Sequence, residues 1–113
     1  MSGYLTTHVL DTARGVPAEA LRVELFRLTG GRAALADMLT NADGRTGHPI
    51  LPEDDFTPGK YELVFHAGEY HRGTDQPGGF LDDVVIRFVM DERAHYHVPL
   101  LLSPFGYSTY RGS

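Results

Sequence analysis

The chain has 113 residues, with 15 acidic and 10 basic side chains and a formal net charge of −5 at pH 7. This length predicts one domain, residues 1–113, and the acidic balance without a basic cluster argues against nucleic acid as a partner. The absence of cysteine excludes disulfides, thiolate metal ligands and a cysteine nucleophile. No apolar run approaches the ~20 residues of a membrane span, and no secretory signal is visible, so we expect a cytoplasmic protein without a membrane partner.

Short strand-like segments fill the first half of the chain. In residues 4–11 and 21–29, apolar and polar side chains alternate, which predicts strands with one buried face each. Residues 32–40 are rich in Ala and Leu, which favours a helix, but this short segment lies between turn signals. We therefore predict a third strand there, followed by a turn at residues 41–44.

The second half of the chain also consists of short predicted strands. Residues 60–67, 84–90, 96–102 and 105–111 predict four further strands, and residues 68–79 predict a polar loop or one helical turn. Seven or eight short strands with at most one short helix are typical of an all-β protein. The predicted fold is a two-sheet antiparallel β-sandwich.

Two polar residues in the first half could carry chemistry, although each has an ordinary alternative. His8 lies in the middle of the first predicted strand, where a half-exposed histidine is the common outcome. Arg45 directly follows the predicted turn, and an arginine in that position is usually solvated. An arginine also binds planar amides, imides and carboxylates through two parallel hydrogen bonds and keeps its charge.

The segment from His95 to His97 has a stronger pattern. Strand alternation predicts that Val98 and its same-face neighbours are buried, whereas His97 points to the opposite surface of the sheet. His95 lies at the entrance of this strand and could be an exposed edge residue. Two histidines at this spacing can also bind a metal, but no further ligand follows at a matching spacing, so a metal site is possible and not favoured.

The last predicted strand complements this surface. If it pairs with the preceding strand as a hairpin, Ser108 and Tyr110 share a surface with His97, while Arg111 lies on the other face. Such a mixture of His, Pro, Leu, Ser and Tyr suits the lining of a polar cleft. A flat sheet needs an opposite wall to form a cleft, and a symmetry-related second copy supplies it most simply.

Three segments of the sequence resemble the 5-hydroxyisourate hydrolase family, the transthyretin-related enzymes of uric acid degradation. They are THVLDTARGVPA at 7–18, ADGR at 42–45 and HYHVPLLLSPFGYSTYRGS at 95–113. The resemblance runs from residue 4 to residue 113. It implies a transthyretin-like sandwich that assembles as a homotetramer, a dimer of dimers with its sites in the channel between dimers. It implies a small purine-derived substrate and no cofactor.

The resemblance also implies which residues act. The implied catalytic residues are His8, Arg45 and His97. The implied substrate-binding residues are Ser108, Tyr110, Arg111, Gly112 and Ser113. The family reaction opens a C–N bond of 5-hydroxyisourate with water and gives 2-oxo-4-hydroxy-4-carboxy-5-ureidoimidazoline, without a metal.

In this interpretation His8 or His97 is the general base, because an imidazole titrates near neutral pH. Arg45 then keeps that imidazole neutral and stabilises the oxyanion. The alternative is a transthyretin-like small-molecule carrier that uses the same channel. The family comparison implies lysine, glutamate and threonine at the three catalytic positions of transthyretin, so the side chains decide between the two functions.

Overall fold

The structure is a computed structural model and describes residues 3–112. Its strands are β1 (Tyr4–Asp11), β2 (Val16–Pro17), β3 (Arg22–Arg27), β4 (Ala33–Leu39), β5 (Gly59–Phe65), β6 (Val84–Met90), β7 (His95–Ser103) and β8 (Gly106–Thr109). One α-helix, α1 (Ala67–Gly73), follows β5, and a short 3-10 turn spans Glu53–Asp55.

The strands form two four-stranded sheets. The first sheet has the order β2-β1-β7-β8 and the second has the order β4-β3-β5-β6. Within the described residues β1 and β7 pair in parallel, and the other strand pairs are antiparallel. The predicted β-sandwich is confirmed, with this parallel pair as the feature that strand patterns alone did not reveal.

The predicted alternation in β1 and β7 is also confirmed. Leu5 and Val9 of β1 are fully buried, as are Leu100 and Leu102 of β7. Thr7 lies between the two β1 residues on the same inner face, and its hydroxyl donates a hydrogen bond of 2.7 Å to the carbonyl oxygen of Val98. Because this partner satisfies the buried hydroxyl, a polar residue is tolerated in the core.

The ambiguous Ala- and Leu-rich segment forms β4, as predicted. It pairs antiparallel with β3, with Arg22 opposite Leu39. The Arg22 guanidinium also makes a 2.8 Å ion pair with Asp37 of β4. Helix propensity differs among residues by less than ~1 kcal/mol each, so pairing with a neighbouring strand overrides it here.

Helix α1 lies where we predicted a loop or a single helical turn, and it spans seven residues. A buried carboxylate ties it to the end of β1. Asp11 accepts hydrogen bonds from the hydroxyl of Tyr70, the amide of Gln76 and the guanidinium of Arg14. Burial alone would raise the pKa of Asp11, but these donors hold it at about 2. A carboxylate anchor of this kind is invisible to local sequence patterns.

Candidate active site

The parallel pairing of β1 and β7 builds one polar surface on the outer face of the first sheet. The register places Tyr4 beside His95, and Thr6 beside His97. His8 lies two residues after Thr6 in β1 and therefore on the same face of the sheet. Residues on one face of neighbouring strands lie within side-chain reach, so both sequence-predicted histidines share one surface.

Arg45 reaches this surface through a turn that packs on β1. The side-chain oxygen of Asn41 accepts hydrogen bonds from the backbone N–H groups of Asp43 and Arg45. The carbonyl of Gly44 accepts a 2.8 Å bond from the N–H of Val9, and an isolated antiparallel bridge joins Arg45 to His8. The ADGR motif therefore places Arg45 next to a catalytic candidate from a distant part of the chain.

The glycine of this turn is needed for that docking. Gly44 has φ = +75°, in the left-handed region where side chains are disfavoured. A Cβ atom at residue 44 would lie 2.3 Å from the carbonyl oxygen of Val9. A larger residue would therefore push the turn, and Arg45 with it, away from β1.

The end of the chain packs directly against His97. The N–H of Gly112 donates a 2.7 Å hydrogen bond to the carbonyl oxygen of His97. A Cβ atom at residue 112 would lie 2.6 Å from Cδ2 of the His97 imidazole, which is shorter than the contact distance of non-bonded carbon atoms. The absence of a side chain at Gly112 therefore leaves room for the imidazole.

The electrostatic environment keeps the His97 imidazole neutral. The side chain is half-buried, and burial lowers its pKa below the usual 6.5. The positive charge of Arg45 lowers the pKa of His97 further, and His95 and His8 act in the same direction. A neutral imidazole at neutral pH has a free lone pair and can accept a proton from water.

Two residues that the sequence interpretation did not assign to the site lie at its centre. The Thr6 hydroxyl is 2.8 Å from Nδ1 of His97 and 2.7 Å from Nε2 of His95. The exposed His95 ring stacks on Tyr4, with ring centroids 4.2 Å apart and planes 7° from parallel. Strand alternation puts Thr6 on the same face as His8, and His95 on the same face as His97. The sequence therefore contained a signal that Thr6 and His95 belong to the site.

A depression of about 310 Å³ opens beside these side chains. Its wall includes Tyr4, Thr6, Arg45, His48 and His95. The lining combines an aromatic ring, a hydroxyl, imidazoles and a guanidinium. These groups can stack on a planar heterocycle and hydrogen-bond to its edge, which suits a small polar ring compound.

The chain is similar to known proteins over nearly its whole length. The sequence model of the HIUase/Transthyretin family matches residues 5–112. The chain belongs to this family. Over 115 residues it is 58% identical to the 5-hydroxyisourate hydrolase of Mesorhizobium japonicum, and the match covers 98% of this chain and 93% of that relative. The resemblance stated from the three sequence segments is confirmed.

Solved structures show the same fold. A crystal structure of (S)-allantoin synthase is 45% identical with a TM-score of 0.91, and it covers 99% of this chain. The chain spans 44% of that longer protein. Sea bream transthyretin in complex with thyroxine is 27% identical with a TM-score of 0.87, covering 96% of this chain and 93% of its own.

The predicted substrate-binding residues are distributed more widely than the catalytic ones. Ser108 pairs with Leu101 and so lies on the outer face. Leu101 itself lies four residues, or roughly 13 Å, along β7 from His97. Tyr110 and Arg111 line a groove beside β6. The Arg111 guanidinium lies over the ring of Tyr96, 4.2 Å from its centroid, on the face opposite His97.

Within one chain, therefore, Gly112 lies against His97, whereas Ser108 and Arg111 are not brought next to it. Ser113 lies outside the described residues. The substrate-binding role of these positions stays a prediction.

Across residues 3–112, no group of three or more His, Asp or Glu side chains is placed to hold a metal ion. The helices in the same range are all too short or too polar to span a membrane.

Proposed function

We propose that this protein hydrolyses 5-hydroxyisourate to 2-oxo-4-hydroxy-4-carboxy-5-ureidoimidazoline. The observation that carries the proposal is the convergence of His8, Arg45 and His97 on one sheet face, although they come from three distant segments. The relative from Mesorhizobium japonicum, which is 58% identical, is a 5-hydroxyisourate hydrolase. Family membership and this constellation of side chains support the same reaction.

The proposed base is His97. Its neutral imidazole takes a proton from water while the water oxygen attacks a ring carbonyl carbon of the substrate. The carbonyl oxygen becomes an oxyanion, and when this intermediate collapses the C–N bond breaks. The imidazolium returns its proton to the leaving nitrogen. Burial and the charge of Arg45 support His97 as the base, because both lower its pKa and so keep the imidazole neutral at neutral pH.

Arg45 has two roles in this proposal. Its guanidinium cannot lose its proton, so it offers a fixed positive charge and several N–H donors to the oxyanion. The same charge disfavours protonation of His97 before substrate binds. In this proposal His8, whose backbone forms a bridge with Arg45, holds the purine edge. Each effect of this type typically contributes about 10²–10⁴-fold to the rate.

The proposed assembly is a homotetramer, a dimer of dimers with the sites in the channel between dimers. The outer face that bears His97 is open in a single chain, so a second copy facing it would supply the missing wall. Edge strands β6 and β8 offer unpaired backbone groups for association within each dimer. Sedimentation equilibrium at several concentrations tests the assembly, and a stable monomer would contradict it.

The proposed compartment is the cytoplasm. Subcellular fractionation in the source cells tests this prediction. Recovery of the protein with secreted or membrane fractions would contradict it.

The reaction is tested by following ultraviolet absorbance. Freshly generated 5-hydroxyisourate should decay faster with the protein than in buffer alone, and the rate should be proportional to protein concentration. A chelator should leave the rate unchanged, because the proposal assigns the chemistry to side chains. Spontaneous decay at the buffer rate would contradict the function, and loss of activity with chelator would favour a metal-dependent mechanism.

A small-molecule carrier is the second candidate, because the fold is shared with a transthyretin that was solved with thyroxine bound. The same channel could hold a ligand without transforming it. A carrier has no need of an arginine-flanked, neutral histidine, so the described side chains favour the hydrolase. Tight binding of an iodinated aromatic ligand, together with no acceleration of 5-hydroxyisourate decay, would favour the carrier.

A further inference from the structure

One hydroxyl group is shared by two imidazoles in this site. The Thr6 hydroxyl oxygen lies 2.8 Å from Nδ1 of His97 and 2.7 Å from Nε2 of His95. The strand register explains the arrangement, because Thr6 of β1 pairs with His97, and His95 lies two residues earlier on the same face of β7. The proposed hydrolysis uses His97 as the base but assigns no role to these two contacts.

We propose that Thr6 and His95 are positioning residues for His97, a role that rests on the proposed hydrolase function. They keep the proton of the neutral His97 imidazole on Nδ1 and leave the lone pair on Nε2, the atom that takes a proton from water. In this arrangement Nδ1–H of His97 donates to the Thr6 oxygen, and the Thr6 hydroxyl donates to Nε2 of His95. Neither Thr6 nor His95 gains or loses a proton during turnover.

The contacts of His97 leave Nε2 as its reactive nitrogen. Nδ1 faces the Thr6 hydroxyl, whereas Nε2 makes no hydrogen bond to another residue in the range 3–112. Gly112, which packs against the neighbouring ring atom Cδ2, has no side chain that would cover Nε2. A general base needs a lone pair directed at the water, and in a neutral imidazole only the unprotonated nitrogen has one. A proton on Nε2 would put a donor where the reaction needs an acceptor.

The single proton of the shared hydroxyl couples the tautomers of the two rings. When the hydroxyl donates to one imidazole, its oxygen accepts from the other. Donation to His95 leaves both rings with their proton on Nδ1, and donation to His97 leaves both with their proton on Nε2. Only the first arrangement gives His97 a free lone pair on Nε2. An acceptor at His95 therefore selects the reactive tautomer of His97.

The same hydrogen bonds persist when His97 becomes charged. The imidazolium has a proton on each nitrogen, so Nδ1–H still donates to Thr6 while Nε2 holds the proton from water. When Nε2 returns that proton to the leaving nitrogen, the neutral ring again has its proton on Nδ1. No hydroxyl or ring has to reorient, and the bond to Thr6 strengthens as the ring gains positive charge. The contact therefore stabilises the transition state more than the resting ring.

The two supporting side chains are themselves held in place. Thr6 is β-branched and lies in a strand, which restricts rotation about its Cα–Cβ bond and so limits the positions of the hydroxyl. The His95 ring stacks on Tyr4, with ring centroids 4.2 Å apart. His95 is exposed, so its Nδ1–H can donate to water and the series of hydrogen bonds ends without an unsatisfied donor.

Nitrogen-15 NMR of the imidazole nitrogens tests the tautomers directly. At a pH where both rings are neutral, His97 and His95 of the native protein should both have their proton on Nδ1. Thr6→Val keeps the shape of the side chain without the hydroxyl. In this variant the ratio of Nε2-protonated to Nδ1-protonated His97 should rise about 10-fold, the effect of one ordinary hydrogen bond. A proton on Nε2 of either native ring, or an unchanged ratio in Thr6→Val, would overturn the proposal.

The kinetic counterpart is a loss of kcat with little change in KM. Thr6→Val should lower kcat for 5-hydroxyisourate by about 10–10²-fold, because a hydrogen bond to a group that becomes charged is lost. Thr6→Ser should recover both kcat and the native tautomer, because it keeps the hydroxyl. A change confined to KM would show a direct substrate contact, and no recovery in Thr6→Ser would show a packing effect; either result would overturn the proposal.

A matched control is available at the other end of the same strand pair. The Thr12 hydroxyl donates a 3.1 Å bond to the carbonyl oxygen of Leu102, far from the imidazoles. Thr12→Val therefore removes a threonine hydroxyl that contacts β7 without touching either ring, and it should keep the native kcat and the native His97 tautomer. An equal loss of kcat in Thr6→Val and Thr12→Val would show a general structural effect and overturn the proposal.

The role of His95 is tested by His95→Phe, which keeps a ring to stack on Tyr4 but accepts no hydrogen bond. The Thr6 hydroxyl is then free to donate to Nδ1 of His97, so the share of the Nε2-protonated tautomer should rise and kcat should fall. The double variant with Thr6→Val should be no slower than the slower single variant, because both changes act through one hydroxyl. Native kcat in His95→Phe, or multiplied losses in the double variant, would overturn the proposal.

Failure of this positioning role is distinguishable from failure of the proposed function. A native protein that does not accelerate 5-hydroxyisourate decay would contradict the function, whereas the tautomers are measured in the resting protein without substrate. Comparison with the spectrum of His97→Gln assigns the His97 signals. We expect His97 protonated on Nδ1 in the native protein and in Thr12→Val, and a raised share of the Nε2 form in Thr6→Val. Predominant Nε2 protonation in the native protein would overturn the proposal.

Discussion

The two faces of the β1–β7 pair have opposite compositions, although the same two strands build them. On the inner face, Leu5 and Val9 of β1 pack with Leu100 of β7, and all three side chains are fully buried. On the outer face, the corresponding positions are a threonine and three histidines, which lie on adjacent strands in register. A shift of the pairing by one residue would exchange the two sets.

The inner face of the strand pair stabilises the fold, and the outer face of the same pair carries the proposed chemistry. Burial of the inner face holds the two strands in register, and that register alone places the outer imidazoles beside one another. Substitutions on the inner face should therefore change stability first, and substitutions on the outer face should change turnover first.

The largest effect is expected for the outer-face residues Arg45 and His8. Arg45→Gln or His8→Gln should lower kcat/KM for 5-hydroxyisourate by about 10²–10⁴-fold, with the melting temperature unchanged. Arg45→Gln should also raise the pKa of His97, because a repelling positive charge is removed. Steady-state kinetics and an NMR titration of the His97 ring measure these effects separately.

The control for these variants is His66→Gln. His66 directly follows β5 of the second sheet, where its imidazole contacts Glu24 at 2.7 Å, and a glutamine can still donate to that carboxylate. It should retain native kcat/KM. Native activity in Arg45→Gln and His8→Gln would move the site away from the outer face.

The inner face is tested by Leu100→Ala. Leu100 is fully buried, so the variant should lose about 2–5 kcal/mol of unfolding free energy, from lost burial and the cavity left behind. Urea denaturation measures the loss. Its kcat/KM, counted per folded molecule below the unfolding transition, should stay native. A variant of native stability and low activity would contradict the separation of the two faces.

Gly112→Ala tests the contact between the end of the chain and the imidazole. The added methyl group would lie 2.6 Å from Cδ2 of His97, so the ring or the terminal segment must move. Overpacking of this kind costs about 1–3 kcal/mol, and it should lower kcat/KM because the displaced atoms belong to the proposed base.

Gly106→Ala is the matched control for this variant. At residue 106 the nearest atom to an added Cβ is the Ser103 hydroxyl oxygen at 3.9 Å, an ordinary contact. Equal activity in the two alanine variants would show that Gly112 does not position His97.

The sequence predicted much of this arrangement because strand alternation is a strong local signal. The buried face of β7 and the surface position of His97 follow from it, whereas the strand character of β4 was predicted from its short length between turn signals. Only the family resemblance indicated that His8 and Arg45 belong to one site, because no local pattern shows that a turn at residues 41–45 docks on β1. Docking depends on backbone pairing between this turn and β1, two segments far apart in the chain. The residues of the turn allow this pairing, but their sequence does not identify the partner strand.

Other features could not be predicted from the sequence. The parallel register of β1 with β7 depends on the packing of both sheets, and without it the hydroxyl of Thr6 has no assigned partner. The orientation of Arg111 toward Tyr96 depends on the path of the chain beyond β8. The anchoring of α1 depends on Asp11, a buried carboxylate more than fifty residues earlier in the chain that accepts a hydrogen bond from Tyr70.

The smallest effect is expected at His71, a second histidine whose environment contrasts with that of His97. It is fully buried in α1, and neither ring nitrogen has a hydrogen-bond partner among the described residues. Burial lowers its pKa below 6.5, although Asp11 partly opposes the shift. The unfolded state therefore binds the proton more tightly, and His71 should reduce stability as pH falls below 6.5.

His71→Leu removes this titration. The difference in melting temperature between pH 7.5 and pH 5.5 should therefore be smaller in the variant than in the native protein. An unchanged difference in His71→Leu would show that this buried imidazole does not titrate on unfolding.

The most direct test of the account is the activity of His97→Gln toward freshly generated 5-hydroxyisourate, measured on protein with the native melting temperature and native oligomeric state. We predict a loss of about 10²-fold or more in kcat/KM, because glutamine fills a similar space but takes no proton from water. Native kcat/KM in this folded variant would contradict the assignment of His97 as the base and, with it, the outer face of β1 and β7 as the active site.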